Sequence, residues 1–231
     1  YSAAFKGIVA RLAVTDEFGI NGQYANTGAI GALGAKDDRY EGVENLIGSR
    51  YGDQVYGSLD GGKYDLGGGD DTFDTADNAL ANIVDGGAGN DWIKGSSAAD
   101  NLTGGEGHDT LHGEGGNDII SAGAGNDTVF GGAGNDQIAL TGGGTDRIFG
   151  GDGIDTATLE VRLTDVNGIS RDNNGVTTIE YSTGRAEISD TEVIMIGNRS
   201  INVGATQGTS APDTINGTNA VSYTHLTLPT I

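Results

Sequence analysis

The chain has 231 residues, of which 43 are glycine, two are proline and none is cysteine. Its 33 acidic and 12 basic residues give a formal net charge of −21, which repels nucleic-acid phosphates and anionic membrane surfaces and attracts cations. The lack of cysteine excludes disulfides and thiolate metal sites. No apolar run approaches the ~20 residues of a membrane span. We therefore expect no nucleic-acid partner and no membrane span.

Residues 1–38 come first in the chain. They contain one strand-like segment, Val9–Ala13, followed by turns rich in glycine, alanine and asparagine. We expect a spacer, or N-terminal β segment, that leads into the region that follows. The chain does not begin with methionine, and no signal peptide is visible. We therefore expect it to be an internal part of a longer polypeptide.

A repeat with a period of nine residues occupies residues 39–158. Gly104–His112 (GGEGHDTLH) and Ala122–Phe130 (AGAGNDTVF) are representative units, with an acidic residue at position 6. Position 8 is apolar throughout, and it is occupied in order by Leu46, Val55, Tyr64, Phe73, Val84, Ile93, Leu102, Leu111, Ile120, Val129, Ile138, Ile148 and Ala157. An apolar residue at every position 8 is not expected of a disordered glycine-rich chain, so we predict an ordered repeat.

The unit G-G-x-G-x-D-x-U-x resembles the RTX, or haemolysin-type calcium-binding, nonapeptide. The resemblance implies an all-β fold, a parallel β-roll or β-solenoid with two nonapeptides per turn. It also implies that each calcium ion lies between stacked loops and takes one aspartate from each. Residues 18 apart in sequence are then expected to stack on the same side of the roll.

The residue types suit this chemistry. The first six positions are glycine-rich, so the backbone can adopt positive φ and turn its carbonyls inward. Calcium takes six to eight oxygen ligands at about 2.3–2.6 Å, from carboxylates and backbone carbonyls. The x-U-x triplet is expected to form a strand with U facing inward.

We accordingly expect several calcium ions, held by position-6 carboxylates and by loops that their glycines shape. The expected metal-site residues are Asp71, Asp91, Asp100, Asp109, Asp118, Asp127, Asp136, Asp146, Asp155, Gly87, Gly89, Gly105, Gly107, Gly123, Gly125, Gly132 and Gly134. Gly62 and Asn82 bring no carboxylate to position 6, so sites around residues 57–82 are expected to be weak or absent. Loop 95–100 (GSSAAD) lacks two of the glycines, which argues against a regular turn there.

Residues 159–207 change character, and we expect a β-rich insertion or cap on the open end of the roll. Alternation from Leu159 to Thr164 predicts a strand, and Val176–Tyr181 and Val193–Ile196 predict two more. Turns are predicted at Asp165–Gly168 and Asp172–Gly175. Glu192–Gly197 (EVIMIG) is a loose echo of Val43–Gly48 (VENLIG), which leads into the array.

Residues 208–220 are expected to start a second array, with Asp213 at position 6 of Gly208–Asn216. Residues 221–231 (VSYTHLTLPTI) contain neither glycine nor an acidic residue. They resemble the translation of a sequencing adapter, and we expect a non-native tail. A natural tail is the alternative.

Two other groups of side chains are candidate sites. His108 and His112 (HDTLH) echo a zinc-protease motif, but that motif needs a helix, so we expect exposed, solvated histidines. Phe73, Trp92 and Phe130 suggest a sugar-binding stripe. They occupy different repeat positions, so we expect singly placed aromatic residues instead.

The resemblance implies a bacterial protein that is secreted and folds on calcium binding outside the cell. We expect a structural or adhesive segment of a large protein, with a cell-surface or polysaccharide target as a possible partner. The alternative is the repeat module of an exoenzyme or pore-forming toxin whose active domain lies elsewhere. No enzyme is expected within these residues.

Overall fold

A computed structural model describes residues 39–43, 45–75, 80–172 and 174–202. The predictions for residues 1–38, 208–220 and 221–231 lie outside these residues. The strands are β1 (Arg39–Val43), β2 (Asn45–Ser49), β3 (Gln54–Gly57), β4 (Gly62–Gly67), β5 (Thr72–Asp74), β6 (Asn82–Ala88), β7 (Trp92–Lys94), β8 (Asn101–Glu106), β9 (Thr110–His112), β10 (Ile119–Ala124), β11 (Thr128–Ala133), β12 (Gln137–Leu140), β13 (Gly144–Asp152), β14 (Thr156–Leu159), β15 (Val166–Arg171), β16 (Thr177–Tyr181), β17 (Gly184–Ser189), β18 (Val193–Ile196) and β19 (Arg199–Asn202), with a 3₁₀ helix at Leu163–Asp165. In this part of the chain no helix is long and apolar enough to cross a membrane.

The strands alternate between two sheets as the chain proceeds from β1 to β14. Among the described residues, sheet A has the order β1-β3-β5-β7-β9-β11-β13-β17-β16-β15, and sheet B has the order β19-β18-β14-β12-β10-β8-β6-β4-β2. Neighbouring strands in each sheet are parallel from β1 to β14. The predicted all-β parallel roll is therefore confirmed.

The register of the strands sets the length of one coil. Leu111 pairs with Val129 in sheet A, and Ile120 pairs with Ile138 in sheet B. Both pairs are 18 residues apart, so two nonapeptides complete one coil, as predicted. The extra residue in Leu140–Phe149 is absorbed in the loop before β13, and the pair Val129 and Ile148 keeps the same register.

The core is a column of position-8 side chains between the sheets. All thirteen, from Leu46 to Ala157, are at most 2% exposed. Burying one aliphatic side chain contributes about 1.5–3 kcal/mol, so this column is the main apolar support of the roll. The column is lengthened by buried apolar residues at the first position of a unit, which the sequence reading did not place inside. They are Leu66, Ala122, Leu140 and Leu159.

The chain leaves the roll after β14 and then returns to it. The predicted strand from Leu159 to Thr164 is wrong, because β14 ends at Leu159 and the 3₁₀ helix begins at Leu163. The turn predicted at Asp165–Gly168 is also wrong, since Val166 starts β15 and pairs with Tyr181 of β16. Alternation alone could not separate a strand from a short helix of the same length.

The turn predicted at Asp172–Gly175 is present. The Asp172 side chain accepts hydrogen bonds from the N–H groups of Asn174 and Val176 at 2.9 Å, as aspartate does in turns. β16 is antiparallel to both β15 and β17, and β19 is antiparallel to β18. Both sheets therefore end in antiparallel strands. The boundaries proposed for this β-rich segment remain predictions.

Candidate metal centre

Position 6 of each loop lies at or near the start of a strand, and apart from Gly62 the described residues at this position carry a buried polar side chain. These side chains form two columns, one on each side of the roll. Column 1 contains Asp53, Asp71, Asp91, Asp109, Asp127 and Asp146, and column 2 contains Asn82, Asp100, Asp118, Asp136 and Asp155. All of them are at most 2% exposed, so a row of carboxylates is buried on each side.

From Asp71 onward in column 1, and from Asp100 onward in column 2, one oxygen of each aspartate accepts a hydrogen bond from the neighbouring coil. The N–H of Asp91 donates to Asp109 Oδ1 at 2.8 Å, and the N–H of Asp109 donates to Asp127 Oδ1 at 3.0 Å. In column 2 the N–H of Asp118 donates to Asp136 Oδ1 at 2.8 Å. The same bond crosses the 19-residue steps that the insertion creates and the 20-residue step to Asp91. The predicted stacking pairs are thus all brought together.

The second oxygen is different. Among the described residues, the buried Oδ2 atoms without a hydrogen-bond partner belong to Asp71, Asp91, Asp109, Asp118, Asp127, Asp136 and Asp155. A buried carboxylate oxygen without a partner carries the full cost of losing its water. Such a cost at seven equivalent positions indicates that a ligand outside the protein chain completes the site.

In five of these loops the open oxygen lies beside the glycine at position 1, which is Gly86, Gly104, Gly113, Gly131 or Gly150. A Cβ atom added to Gly86 would collide with Asp91 Oδ2 and would lie 2.5 Å from the Gly104 carbonyl oxygen. A Cβ on Gly104 would meet Asp109 Oδ2 at 2.5 Å and the Ala122 carbonyl oxygen. A carboxylate and a carbonyl from the next loop therefore converge where the glycine has no side chain.

The glycines expected to shape the loops have the predicted conformation. Positive φ is found at Gly87, Gly89, Gly105, Gly107, Gly123, Gly125, Gly132 and Gly134. At Gly107, where φ is +139°, a Cβ would also overlap the carbonyl oxygen of Gly89 in the preceding coil. This position requires glycine for its conformation and for the close approach of two backbones.

Burial is the main cause of a raised pKa in these columns. Loss of water, with a smaller contribution from the charge of Asp91, raises the pKa of Asp71 to about 8, against the lowering effect of the hydrogen bond from the Asp53 N–H. Burial likewise raises the pKa to about 7 at Asp91, Asp118 and Asp146, to about 6 at Asp127 and Asp155, and above its usual range at Asp109 and Asp136. The charged state expected of a metal ligand is therefore unfavourable here without a cation.

Asp100 is an exception within column 2. Its Oδ2 accepts hydrogen bonds from the Ser96 N–H at 2.6 Å and from the Ser96 hydroxyl at 3.1 Å. Ser96 Oγ also accepts the Ala98 N–H. In this loop a buried serine, rather than glycine, holds the aspartate through hydrogen bonds, and the predicted lack of a regular turn stays a prediction.

Residues 57–82 are only partly complete as a site. Gly62 brings no side chain, and Asn82 donates its amide to Asp100 Oδ1 at 3.1 Å and leaves its own Oδ1 without a partner. Asp71, by contrast, has an open and buried Oδ2. The weak sites predicted for this segment remain a prediction.

The residues present fit a calcium ion. Calcium is a hard cation that accepts carboxylates and backbone carbonyls, and both converge beside the position-1 glycines. In the described part of the chain, no group of three or more histidine, aspartate or glutamate side chains forms a metal cluster. Most ligands would therefore have to be backbone carbonyls, which is consistent with the glycine-rich loops.

The sequence did not predict one of the carboxylates, which lies at the end of column 2. Glu192 Oε2 accepts the Asp155 N–H at 2.9 Å, as aspartate Oδ1 atoms do elsewhere in the column. The echo of VENLIG in EVIMIG was a signal of this role, since Glu44 and Glu192 stand two residues before the apolar positions Leu46 and Ile194.

His108 forms a hydrogen bond between loops, and His112 forms a ring stack on sheet A. His108 is exposed, and its Nδ1 accepts the Asn126 N–H at 2.9 Å within a row of loop side chains. His112 is half-buried on the outside of sheet A, where its ring stacks on Phe130 with centroids 4.6 Å apart. The expectation of solvated histidines is therefore wrong for His112.

The aromatic residues are also not placed singly. Phe73 lies in the core against Tyr64, but Trp92 and Phe130 both lie on sheet A and contact the same ring, that of His112. His112, Phe130 and Phe149 lie opposite one another on neighbouring strands, and Trp92, which lies opposite Thr110, packs diagonally against His112. These four rings form the aromatic ladder. The rings of Phe130 and Phe149 are 4.9 Å apart and 8° from parallel. Both faces of Phe130 are occupied by its neighbours, so it offers no free face to a sugar.

The repeat of this chain is similar to a known family of repeats. A family model described as RTX calcium-binding nonapeptide repeat, with four copies of the repeat, matches residues 77–111, 103–138 and 140–157. These segments contain the loops whose aspartate oxygens converge with carbonyls. No curated protein matches the chain.

Proposed function

We propose that the roll binds calcium ions between its stacked loops and folds when they bind, because a family model of RTX calcium-binding nonapeptide repeats matches residues 77–111, 103–138 and 140–157. The aspartates of columns 1 and 2 would hold the ions together with carbonyls of the glycine-rich loops. The cation would neutralise the buried carboxylates whose Oδ2 atoms have no hydrogen-bond partner among the described residues.

The observation that carries this proposal is the buried Oδ2 atom without a partner at Asp109 and at six equivalent positions. Protonation could relieve one such atom. Keeping all seven carboxylates charged and buried at neutral pH costs more free energy with each additional charge. A divalent cation relieves the cost of two carboxylates at once. The carbonyl of the next loop, beside the same glycine, supplies a further ligand of the kind that calcium prefers.

Calcium binding would then be part of the folding reaction. The loops exist only in the folded coil, so the free energy of ion binding adds to the free energy of folding. Extracellular calcium modules bind at about 10⁻⁴–10⁻³ M. Sites of this strength would be empty in a cytosol and filled outside a cell, which suits export as an unfolded chain.

The test is a calcium titration of the full chain followed by far-ultraviolet circular dichroism, with magnesium as the control ion. Asp109→Asn removes one ladder carboxylate, and Glu106→Gln removes the same charge from an exposed residue of the same loop. We expect a cooperative coil-to-β transition near millimolar calcium. Its midpoint should move to higher calcium for Asp109→Asn and stay in place for Glu106→Gln.

Two results would contradict this proposal. A β spectrum that is insensitive to both calcium and chelator would mean that the apolar core holds the roll alone. Equal shifts in Asp109→Asn and Glu106→Gln would mean that calcium only screens the net charge of −21. Magnesium should fail to replace calcium, because it favours six ligands in a rigid octahedron and retains its water.

We propose that the roll is a structural or adhesive segment of a larger secreted bacterial protein. RTX repeats are typical of secreted bacterial proteins, and a metal-held fold suits a chain that has no disulfide. The repeat is structural rather than catalytic, and we propose no enzymatic activity for it. The alternative is the repeat module of an exoenzyme or pore-forming toxin. The sequence of the complete gene would decide, through further repeat arrays or through a catalytic or pore-forming domain.

A further inference from the structure

The roll continues for one coil beyond the repeats. β17 pairs in parallel with β13, with Ile188 opposite Ile148, and β18 pairs in parallel with β14, with Ile194 opposite Ala157. These partners are 40 and 37 residues apart, because β15 and β16 are inserted between the coils. Ile188 and Ile194 are both at most 1% exposed, so they prolong the core column.

This register assigns the position-6 places of the last coil. In column 1 the place opposite Asp146 is taken by Ala186, which has no carboxylate. In column 2 the residue before Val193 is Glu192, and Val193 pairs with Thr156, the residue after Asp155. Column 2 therefore continues with a carboxylate where column 1 stops.

The side chain of Glu192 reproduces the bond that joins the other coils. The N–H of Asp155 donates to Glu192 Oε2 at 2.9 Å, and the N–H of Asp136 donates to Asp155 Oδ1 at the same distance. The loop before Glu192 is shorter when it is counted from the core residue of the preceding strand, because Glu192 follows Ile188 by four residues and Asp155 follows Ile148 by seven. The longer side chain of glutamate lets the carboxylate reach the same position from this short loop.

Other oxygens converge beside Gly150, at position 1 of the loop that ends at Asp155. A Cβ atom added to Gly150 would lie 2.6 Å from Asp155 Oδ2 and 2.8 Å from Thr191 Oγ1, and it would collide with the Asp190 carbonyl oxygen. The Thr191 hydroxyl donates its hydrogen to the Ser189 carbonyl at 2.9 Å, so its lone pairs stay available. Asp155 is 0% exposed, and its Oδ2 has no hydrogen-bond partner.

We propose that this point is an additional calcium site that the nine-residue repeat does not encode, with Asp155 and Glu192 as its carboxylates. The site deepens the proposed function and rests on it. An ion here would tie β17 and β18, and with them the antiparallel strands at the end of both sheets, to the last repeat. Column 2 would hold this terminal ion, and column 1, which ends at Ala186, would have no counterpart.

The test counts the calcium ions bound to the full chain, by equilibrium dialysis and by native mass spectrometry. Glu192→Gln keeps an amide oxygen that can accept the Asp155 N–H but loses the charge. Glu160→Gln removes an equal charge from an exposed residue outside the site. We expect one ion fewer than wild type in Glu192→Gln and the wild-type number in Glu160→Gln. A full complement in a folded Glu192→Gln would overturn the proposal and reduce Glu192 to a cap for one N–H group.

Glu192→Asp keeps the proposal testable if Glu192→Gln does not fold. This variant retains the charge on a side chain that is one methylene shorter, so we expect it to bind one ion fewer or to bind that ion with weaker affinity. A full number of ions bound with wild-type affinity in Glu192→Asp would overturn the site. A wild-type chain that binds no calcium would instead refute the proposed function itself, so the two failures are distinguishable.

Discussion

The backbone N–H of Asp91 donates a 2.8 Å hydrogen bond to Oδ1 of Asp109, the aspartate that stacks on it one coil later. The bond occupies one oxygen and fixes the carboxylate so that Oδ2 faces the open place beside Gly104. The same residue thus joins two coils through its backbone and offers a ligand through its side chain.

In calcium-free buffer we expect acid to fold the roll. The buried aspartates have a pKa of about 6 to 8 in the folded state against about 3.9 in an unfolded chain. The folded state therefore binds more protons between these values, and the free energy of unfolding falls as pH rises through this range. Circular dichroism should show β structure near pH 5 and lose it by pH 8.

Calcium should be removed with a chelating resin for this experiment, because soluble chelators weaken in acid. Added potassium chloride is the control, since it screens exposed charges but acts much less on buried ones. A spectrum that does not change between pH 5 and pH 8 would contradict the prediction.

Ser96→Ala should destabilise the loop that contains Asp100. The hydroxyl donates to a buried carboxylate at 3.1 Å, and a hydrogen bond to a charged group contributes about 1.5–3 kcal/mol. We expect the free energy of unfolding in saturating calcium to fall by this amount. Ser97→Ala, at the exposed neighbour in the same loop, should cause little change. Urea unfolding measures both, and equal losses would show that the hydroxyl bond is unimportant.

Gly107→Ala should disturb the loop at the point where two coils meet. Its φ of +139° and its contact with the Gly89 carbonyl leave no room for a Cβ, and backbone strain of this kind costs about 1–3 kcal/mol before the collision is added. Gly168→Ala is the control, because nothing lies within 4 Å of its Cβ position. Thermal unfolding in calcium should separate the two variants, and similar midpoints would contradict the close approach.

The aromatic ladder should stabilise sheet A. Phe130 and Phe149 stack at 4.9 Å, and an aromatic pair contributes about 0.5–1.5 kcal/mol beyond its buried area. A double-mutant cycle with Phe130→Ala and Phe149→Ala should return a coupling energy in this range. Phe130→Ala combined with Ile119→Ala, on the exposed face of sheet B, should be additive. Additivity in both cycles would mean that the stack is only incidental.

The repeat was predictable because each unit contains the residues that determine its own conformation. An apolar residue at position 8 must face inward when the flanking positions face out, and glycine permits the turn that precedes it. The sequence did not identify Ser96 as the partner of Asp100. The repeat has glycine at this position, so the serine looked only like the loss of a turn-forming residue. Nor could it predict the aromatic ladder, since Trp92 and His112 occupy different repeat positions and meet only across strands.

The sequence by itself determined the period, the inward position of each unit and the aspartates that stack at 18-residue intervals. These features are local, so every repeat carries the same physical signal. Only the tertiary structure decided how the roll ends. Glu192 joins column 2 across 37 residues, and this distance follows from the length of the inserted strands rather than from any repeat. Pairing of β17 and β18 with the last repeats brings that carboxylate to Asp155, and a contact of this kind depends on where the chain returns.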